Sequence, residues 1–253
     1  MVLTPKMMAL GLFPRSIRRA LVSRHFRREV EEWGEHELGQ LGEFVGPGDL
    51  CIDIGCNVGS YAYQLSHLTG NVVAFEPNPH LARMVRGFGF AGVRVEAVAL
   101  SSRDGVAELV FPTTHGGHAL GTLKGALHKN REIHALAVPV RTLDSYGFKD
   151  VKFIKIDVEG FEEEVLQGAS ETIRCDRPTL LIEIEERHNP GAIGRIAARL
   201  GELGYRGVFN ANDARRTIGD LDHLANEGAL EALGQVRTRR SVTYINNFFF
   251  LPS

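Results

Sequence analysis

One short stretch decides how this chain folds: Asp53-Ile54-Gly55-Cys56-Asn57-Val58-Gly59-Ser60. The residues that lead into it, 49–54, are mostly apolar, which is typical of a short strand buried in a parallel sheet. Gly55 and Gly59 carry no Cβ atom, so the main chain can turn tightly and approach a ligand there. The stretch predicts a strand, a glycine turn and a helix over residues 58–68.

A second predicted strand, residues 71–75, ends at an acidic side chain. Glu76 follows it at once, about 20 positions after the glycine turn, the spacing at which a carboxylate accepts hydrogen bonds from the hydroxyls of a bound ribose. The turn and the acid together predict a site for a cofactor that contains a ribose. Its candidate binding residues are Asp53, Gly55, Asn57, Gly59, Ser60, Glu76, Pro77, Asn78 and the later Asp157.

The residues of the turn indicate which cofactor binds. Dinucleotide sites use G-x-G-x-x-G, in which the middle glycine admits a pyrophosphate at the helix N-terminus. Asn57 stands at that middle position, and the charge of Asp53 would repel a pyrophosphate. The same charge suits the sulfonium and ammonium groups of S-adenosylmethionine, which is therefore the predicted cofactor. The alternatives are an NAD-dependent oxidoreductase, a catalytically silent cofactor-binding module of the same fold, and a tight turn without a ligand.

Composition and charge limit the classes of partner. The 253 residues carry 29 Lys and Arg against 31 Asp and Glu, so no overall positive field favours nucleic acid. Residues 1–45 form a predicted N-terminal helical segment whose first 30 residues are strongly basic. This segment predicts a basic amphipathic helix, which either contacts an anionic membrane surface or a polyanionic substrate, or packs on the domain with a solvated basic face.

Features of export and membrane insertion are not evident in the sequence. The apolar residues near the N-terminus are too few for a signal peptide, and no apolar run reaches the ~20 residues of a membrane helix. Three scattered cysteines do not form a disulfide framework or a zinc site. The sequence therefore predicts a cytoplasmic protein and leaves its oligomeric state open.

Strand and helix patterns alternate from residue 48 onward, which predicts one α/β domain over residues 46–253 with a mainly parallel sheet. Further strands are predicted at residues 93–97, 106–111, 151–156, 179–184 and 242–251, and further helices at residues 79–88, 161–169 and 192–203. Residues 112–139 show no clear period and contain four histidines, His115, His118, His128 and His134. This segment is interpreted as a substrate-binding insert or lid, with a variable surface insertion as the alternative.

The order of motifs resembles that of the FkbM-type S-adenosylmethionine-dependent methyltransferases. The resemblance covers roughly residues 45–253. It depends on the glycine turn and on four further runs, F-E-P-N-P from Phe75, V-R-T-L-D from Val140, I-K-I-D-V-E-G-F-E from Ile154 with V-L-Q-G-A, and N-N-F-F-F-L-P from Asn246. It implies the Rossmann-like class I methyltransferase fold, with a mainly parallel seven-stranded sheet, helices on both faces and an antiparallel last strand. It also implies O-methylation of a saccharide, glycolipid or secondary-metabolite hydroxyl. The insert departs from the family pattern at residues 117–120, which leaves the small-molecule or glycan acceptor open.

Candidate catalytic residues follow the strand at Val151–Ile156, since catalytic groups in open α/β sheets lie beyond the carboxyl ends of strands. Asp157 and Lys155 can face the same side of the sheet, because side chains alternate along a strand. One would act as a general base and the other would orient it, with Glu159 beside them. The alternative is a structural ion pair. His188 is a second candidate base.

A divalent cation is a further hypothesis that the sequence does not favour. Asp157, with Glu183 or Glu185 after the next strand, would supply its carboxylate ligands if a metal were bound.

Overall fold

The computed structural model describes residues 22, 24, 26, 36–112, 133–186, 189–211, 214–221 and 245–253. Its helices are α1 (His36–Gln40), α2 (Ser60–Leu68), α3 (Pro79–Phe88), α4 (Glu162–Gly168), α5 (Ser170–Asp176) and α6 (Ala192–Glu202). Short 3₁₀ turns lie at Leu41–Glu43, Asp144–Tyr146 and Ile218–Asp220.

Eleven strands are present in the described residues. They are β1 (Leu50–Ile54), β2 (Val72–Phe75), β3 (Val93–Glu96), β4 (Ala99–Leu100), β5 (Gly105–Pro112), β6 (Ile133–Arg141), β7 (Val151–Ile156), β8 (Thr179–Glu183), β9 (Tyr205–Ala211), β10 (Ala214–Thr217) and β11 (Asn247–Pro252). The large sheet has the order β10-β9-β11-β8-β7-β1-β2-β3, and a small second sheet has the order β4-β6-β5.

The large sheet confirms the predicted α/β fold and its antiparallel last strand. Strands β3, β2, β1, β7 and β8 are mutually parallel, whereas β11 runs antiparallel to both of its neighbours, β8 and β9. The sheet has eight strands in the described residues rather than seven, because β10 pairs antiparallel with β9 and adds an edge. Most β10 side chains are exposed, so this strand lacks the apolar alternation that would have predicted it.

Two apolar cores cover the two faces of the sheet, as the prediction of helices on both faces required. Ile154 and Ile156 of β7 pack in the core that contains residues of α4, α5 and α6. Phe153 of β7 packs in the other core, which contains residues of α1, α2 and α3. Because side chains alternate along a strand, Lys155 lies on the α2 side with Phe153, and Asp53 lies there with Cys51.

The helix boundaries follow from local geometry. Helix α2 begins at Ser60, two residues later than predicted, because Asn57 and Gly59 adopt the left-handed region with φ of 51° and 91°. Helix α3 has the predicted bounds, and the Asn78 side chain caps it by accepting a 3.0 Å hydrogen bond from the His80 main-chain N–H.

The last part of the predicted insert at 112–139 forms a strand. Residues 133–139 belong to β6, which pairs antiparallel with β5, and residues 113–132 lie outside the described part of the chain together with three of the four histidines. Leu136, Val138 and Val140 alternate toward the small core of the second sheet. Pro139 obscured this strand in the sequence, since proline removes a ladder donor and argues against a strand.

Only Val22, Arg24 and Phe26 of residues 1–35 are described. Val22 and Phe26 are buried against Tyr63 of α2 and Phe88 of α3, while Arg24 is exposed. The rest of the predicted basic helix at residues 1–35 lies outside the described residues. Across the part of the chain that the structure describes, no helix combines the length and the apolar character needed to cross a bilayer.

Candidate functional site

An open cleft lies at the carboxyl ends of the central strands β2, β1 and β7. Two groups of residues at these strand ends differ in the kind of contact that holds them. We call the ends of β1 and β2, with Gly55, Asn57, Glu76, Pro77 and Asn78, the Glu76 half. We call the ends of β7 and β8 and the residue before β11, with Lys155, Asp157, Glu183 and Asn246, the Lys155 half. Of these four residues Asp157 lines the cleft, and the other three are linked to it through ion pairs and a hydrogen bond.

The glycine turn joins the two halves through main-chain contacts. Gly55 donates a 2.9 Å hydrogen bond to the Phe75 carbonyl of β2, and the Asp157 N–H donates a 2.9 Å bond to the Ile54 carbonyl. Gly55 has a φ of +79°, and a Cβ atom there would overlap the carbonyl oxygen of Asp157. Glycine is therefore required at this turn for two reasons, its conformation and the close approach of the β7 main chain.

Glu76 is the best-defined side chain of the Glu76 half. It is buried, its Oε2 accepts a 2.8 Å bond from the Asn57 N–H, and its Oε1 accepts a 2.8 Å bond from the Asn78 N–H. Burial is the main reason that the pKa of Glu76 is raised to about 7; the two main-chain donors oppose this rise, and the charges of Asp157 and Asp53 add to it. Each carboxylate oxygen can accept more than one hydrogen bond, so the group keeps acceptor capacity for two adjacent ribose hydroxyls.

An apolar wall that the sequence analysis missed closes the cleft beside Glu76. Its residues come from four elements, Phe75 at the end of β2, Leu81 of α3, Leu100 of β4 and Leu109 of β5. Pockets for small molecules are lined mainly by such side chains. This lining suits the flat ring of a nucleobase. The alternation in β5 predicted a strand, but nothing local indicated that the second sheet would fold over this end of the cleft.

The nine predicted cofactor residues do not all reach the cleft. Those that line it are Gly55, Asn57, Glu76, Pro77, Asn78 and Asp157. Asp53 is buried in β1 below the turn, Ser60 begins α2, and Gly59 packs against Val85 and Phe90. These three residues belong to the turn and its surroundings and do not line the cleft.

The Lys155 half brings together three side chains that the sequence proposed for catalysis or metal binding. Lys155 is only 1% exposed, and its Nζ lies 4.0 Å from Asp157 Oδ2 and 3.7 Å from Glu183 Oε2. The ammonium also lies 5.1 Å from the centre of the Tyr61 ring, a contact for which the sequence gave no signal. Asp157 lines the cleft. The buried Lys155 pairs with its carboxylate from the interior of the protein.

Glu159 also lines the cleft, and an unusual main-chain turn carries it there. Glu159 and Gly160 both adopt positive φ, 52° and 96°. The buried Glu162 accepts a 2.8 Å bond from the Gly160 N–H, which fixes the turn. Burial raises the pKa of Glu162 to about 7. His188, the other candidate base, lies outside the described residues.

Asp157, Glu183 and Glu185, the residues that would bind a metal if one were present, do not form a metal-binding group in the described residues. The Lys155 ammonium lies within 4.0 Å of both Asp157 and Glu183 and supplies the positive charge between them. Nowhere in the described residues do three or more His, Cys, Asp or Glu side chains gather in a way that would hold a metal ion.

The sequence profile of the Methyltransferase FkbM domain matches residues 53–206, which is more than half of the chain. The chain belongs to the FkbM methyltransferase family. This confirms the resemblance drawn from the motifs, and the matched range contains both the glycine turn and the strand that carries Lys155.

Two relatives of this FkbM chain have named activities. The 2-O-methyltransferase NoeI of Sinorhizobium fredii is 28% identical over 149 residues, covering 52% of this chain and 61% of the relative. The 31-O-demethyl-FK506 methyltransferase FkbM of Streptomyces tacrolimicus is 28% identical over 194 residues, covering 63% of this chain and 73% of the relative. The chain thus spans less than two thirds of the first relative.

A solved structure shares the fold. The methyltransferase FkbM of Methylobacillus flagellatus superposes with a TM-score of 0.50 at 14% identity, covering 80% of this chain and 43% of that one. At this identity the likeness concerns the class I methyltransferase fold alone, with the sheet and cleft described above.

Proposed function

We propose that this chain is an S-adenosylmethionine-dependent methyltransferase that methylates a hydroxyl group of a saccharide, glycolipid or secondary metabolite. The single observation that carries the proposal is the juxtaposition of Glu76 and Asp157 in one cleft, joined by the turn at Gly55. One carboxylate, at the end of β2, suits a ribose, and the other faces the same cleft at the end of β7, with β1 between the two strands.

The Glu76 half fits the cofactor. Glu76 would hold the two ribose hydroxyls, and the wall formed by Phe75, Leu81 and Leu109 would cover the adenine. The acids Asp157 and Glu159 at the other side make this a negatively charged cleft, which attracts the positively charged methionine end of S-adenosylmethionine. A pyrophosphate would meet the same charges unfavourably, and this argues against the NAD-dependent alternative.

Methyl transfer to an alcohol requires alignment, exclusion of water and removal of one proton. When bound, S-adenosylmethionine supplies a methyl group on a sulfonium, an electrophile that needs no further activation. The cofactor would give its methyl group to the acceptor oxygen and keep the electron pair of the carbon–sulfur bond on sulfur, while the carboxylate of Asp157 would accept the hydroxyl proton. Lys155 orients that carboxylate through Oδ2 at 4.0 Å.

Two considerations support oxygen as the acceptor atom. A carboxylate general base suits a hydroxyl, whose proton must leave as the bond to carbon forms. The names of both relatives specify an O-methyl group, on position 2 in one and position 31 in the other.

The proposal is tested by incubating the purified protein with methyl-labelled S-adenosylmethionine and a panel of saccharides, glycolipids and polyketide alcohols, with and without EDTA. We expect label transfer to at least one hydroxylated acceptor, unaffected by EDTA, and no transfer in Asp157→Asn. Binding of the cofactor without transfer to any acceptor class would favour the silent module.

A further inference from the structure

A buried lysine needs compensation, and the Lys155 half supplies it from two different strands. A charged group at 1% exposure is costly unless it is paired and hydrogen-bonded. Lys155 Nζ donates a 3.4 Å hydrogen bond to the Ile156 carbonyl and lies between the carboxylates of Asp157 and Glu183. Glu183 is the nearer of the two, at 3.7 Å against 4.0 Å.

Glu183 is itself held from its other side by the residue that precedes the last strand. The Asn246 side-chain Nδ2 donates a 2.6 Å hydrogen bond to Glu183 Oε1, while Oε2 faces Lys155. The main chain fixes Asn246 as well, because its carbonyl accepts a 2.7 Å bond from the Ile184 N–H. Both oxygens of Glu183 are thus engaged, and the carboxylate has one defined position.

We propose that Glu183 and Asn246 are positioning residues that divide the charge of Lys155 and thereby set the orientation of Asp157 in the cleft. This inference rests on the proposed function, since it assigns Asp157 the proton transfer. If Glu183 did not hold the ammonium, Lys155 would pair with Asp157 alone, and an acid in a tight ion pair is a weaker proton acceptor. Charged and aromatic groups close to this cluster are Asp53, Glu76, Glu159, Glu162 and the Tyr61 ring.

Carbon-13 NMR observes this cluster directly. The chain has only six lysines, so protein labelled at the lysine ε-carbon gives few signals, and the Lys155 signal is assigned by its loss in Lys155→Arg. A fixed ammonium shows two resolved Hε protons, whereas a mobile one shows a single averaged signal. Labelling the aspartate carboxyl carbons reports Asp157 in the same way, with Asp157→Asn as the assignment.

We expect resolved Lys155 Hε protons in the wild-type protein. In Asn246→Leu and Glu183→Gln the two protons should merge and the Asp157 carboxyl signal should move. The matched control is Asn210→Leu, because the Asn210 side-chain amide also donates to side-chain oxygens, the Glu37 carboxylate Oε1 at 3.2 Å and the Gln40 amide Oε1 at 2.9 Å, but does so on β9. It should lose thermal stability without changing either signal.

The proposal is overturned if both signals stay unchanged in the two variants, and Glu183→Gln, which keeps the shape of the side chain, decides the matter if Asn246→Leu does not fold. Calorimetric titration of the same samples with S-adenosylhomocysteine separates this result from the proposed function. A wild-type protein that fails to bind it refutes the function, whereas binding together with unchanged NMR signals refutes only the positioning role.

Discussion

The two halves of the cleft are stabilised in different ways. In the Glu76 half, main-chain N–H groups of Asn57 and Asn78 hold a single carboxylate at 2.8 Å each. In the Lys155 half, side chains hold other side chains, with an ammonium between two carboxylates at 3.7 and 4.0 Å. The first arrangement depends on the path of the chain and the second on the identity of residues from separate strands.

This difference fits the tasks we propose for the halves. A cofactor that is the same in every methyltransferase of this kind can be bound by one carboxylate that main-chain N–H groups hold in place. An acceptor differs between enzymes, and a network of side chains can be altered one residue at a time. The turn at Gly55 and Asp157 connects the two arrangements.

The largest expected effect is a loss of methyl transfer after a substitution in the Lys155 half alone. Asp157→Asn removes the proposed base and should lower methyl transfer 100- to 10,000-fold, equivalent to about 3–5 kcal/mol in the barrier. Affinity for S-adenosylhomocysteine should stay within a few-fold, because Glu76 and its main-chain donors are untouched. Label-transfer assays and calorimetry measure the two quantities, and near-normal turnover would remove Asp157 from the mechanism.

The next largest effect is a loss of stability after a substitution at the turn that connects the two halves. Gly55→Ala places a methyl group against the Asp157 carbonyl at a φ of +79°, and should lower the free energy of unfolding by about 3 kcal/mol. Gly48→Ala is the matched control, because Gly48 has a φ of +89° and nothing within 4 Å of a Cβ. It should cost only about 1–2 kcal/mol, the conformational part. Equal losses in urea unfolding would mean that the contact with β7 is unimportant.

A smaller effect breaks the Glu76 half alone. Glu76→Ala should weaken binding of S-adenosylhomocysteine by about 1–3 kcal/mol, the usual cost of leaving hydrogen-bond partners unsatisfied. Glu96→Ala serves as its control, since Glu96 ends the adjacent strand β3 and pairs with Arg94 at 3.2 Å. If calorimetry gave the same affinity for both variants, the ribose would have to be held elsewhere.

The smallest expected effect is a change of ligand affinity with pH, which concerns the Glu76 half alone. Burial raises the pKa of Glu76 from 4.5 to about 7, so the stability that this group contributes to the unliganded protein is present below pH 4.5 and is lost as the pH rises through about 7. Ligand affinity should change in the opposite direction, because the ionised carboxylate is the better acceptor for ribose hydroxyls. Between about pH 8 and pH 6, affinity for S-adenosylhomocysteine should fall by up to about tenfold. Glu76→Gln should show a flat profile, and a wild-type profile as flat as that of the variant would contradict the role of Glu76.

Local patterns sufficed to predict the Glu76 half and most of the fold. The glycine turn, Glu76 and the Asn78 cap lie close together in sequence, and their spacing reflects one βαβ unit. Buried parallel strands such as Val151–Ile156 are short apolar runs that are readily identified.

The Lys155 half could be predicted only in part, for a physical reason. Alternation along β7 put Lys155 and Asp157 on the same side, but Glu183 and Asn246 meet them through strand order, and that order places the last strand beside β8. No local spacing encodes the 2.6 Å bond between Asn246 and Glu183, or the Tyr61 ring near Lys155. For the same reason, the sequence could not show that the Lys155 ammonium lies within 4.0 Å of both Asp157 and Glu183.

The measurement that tests the central claim most directly is calorimetric titration of the wild-type protein with S-adenosylhomocysteine, with NAD as the parallel control. We expect saturable binding of S-adenosylhomocysteine at one site, weakened in Glu76→Ala, and no binding of NAD. Binding of NAD with no response to S-adenosylhomocysteine would contradict the proposed function and would make the turn at Asn57 a dinucleotide site.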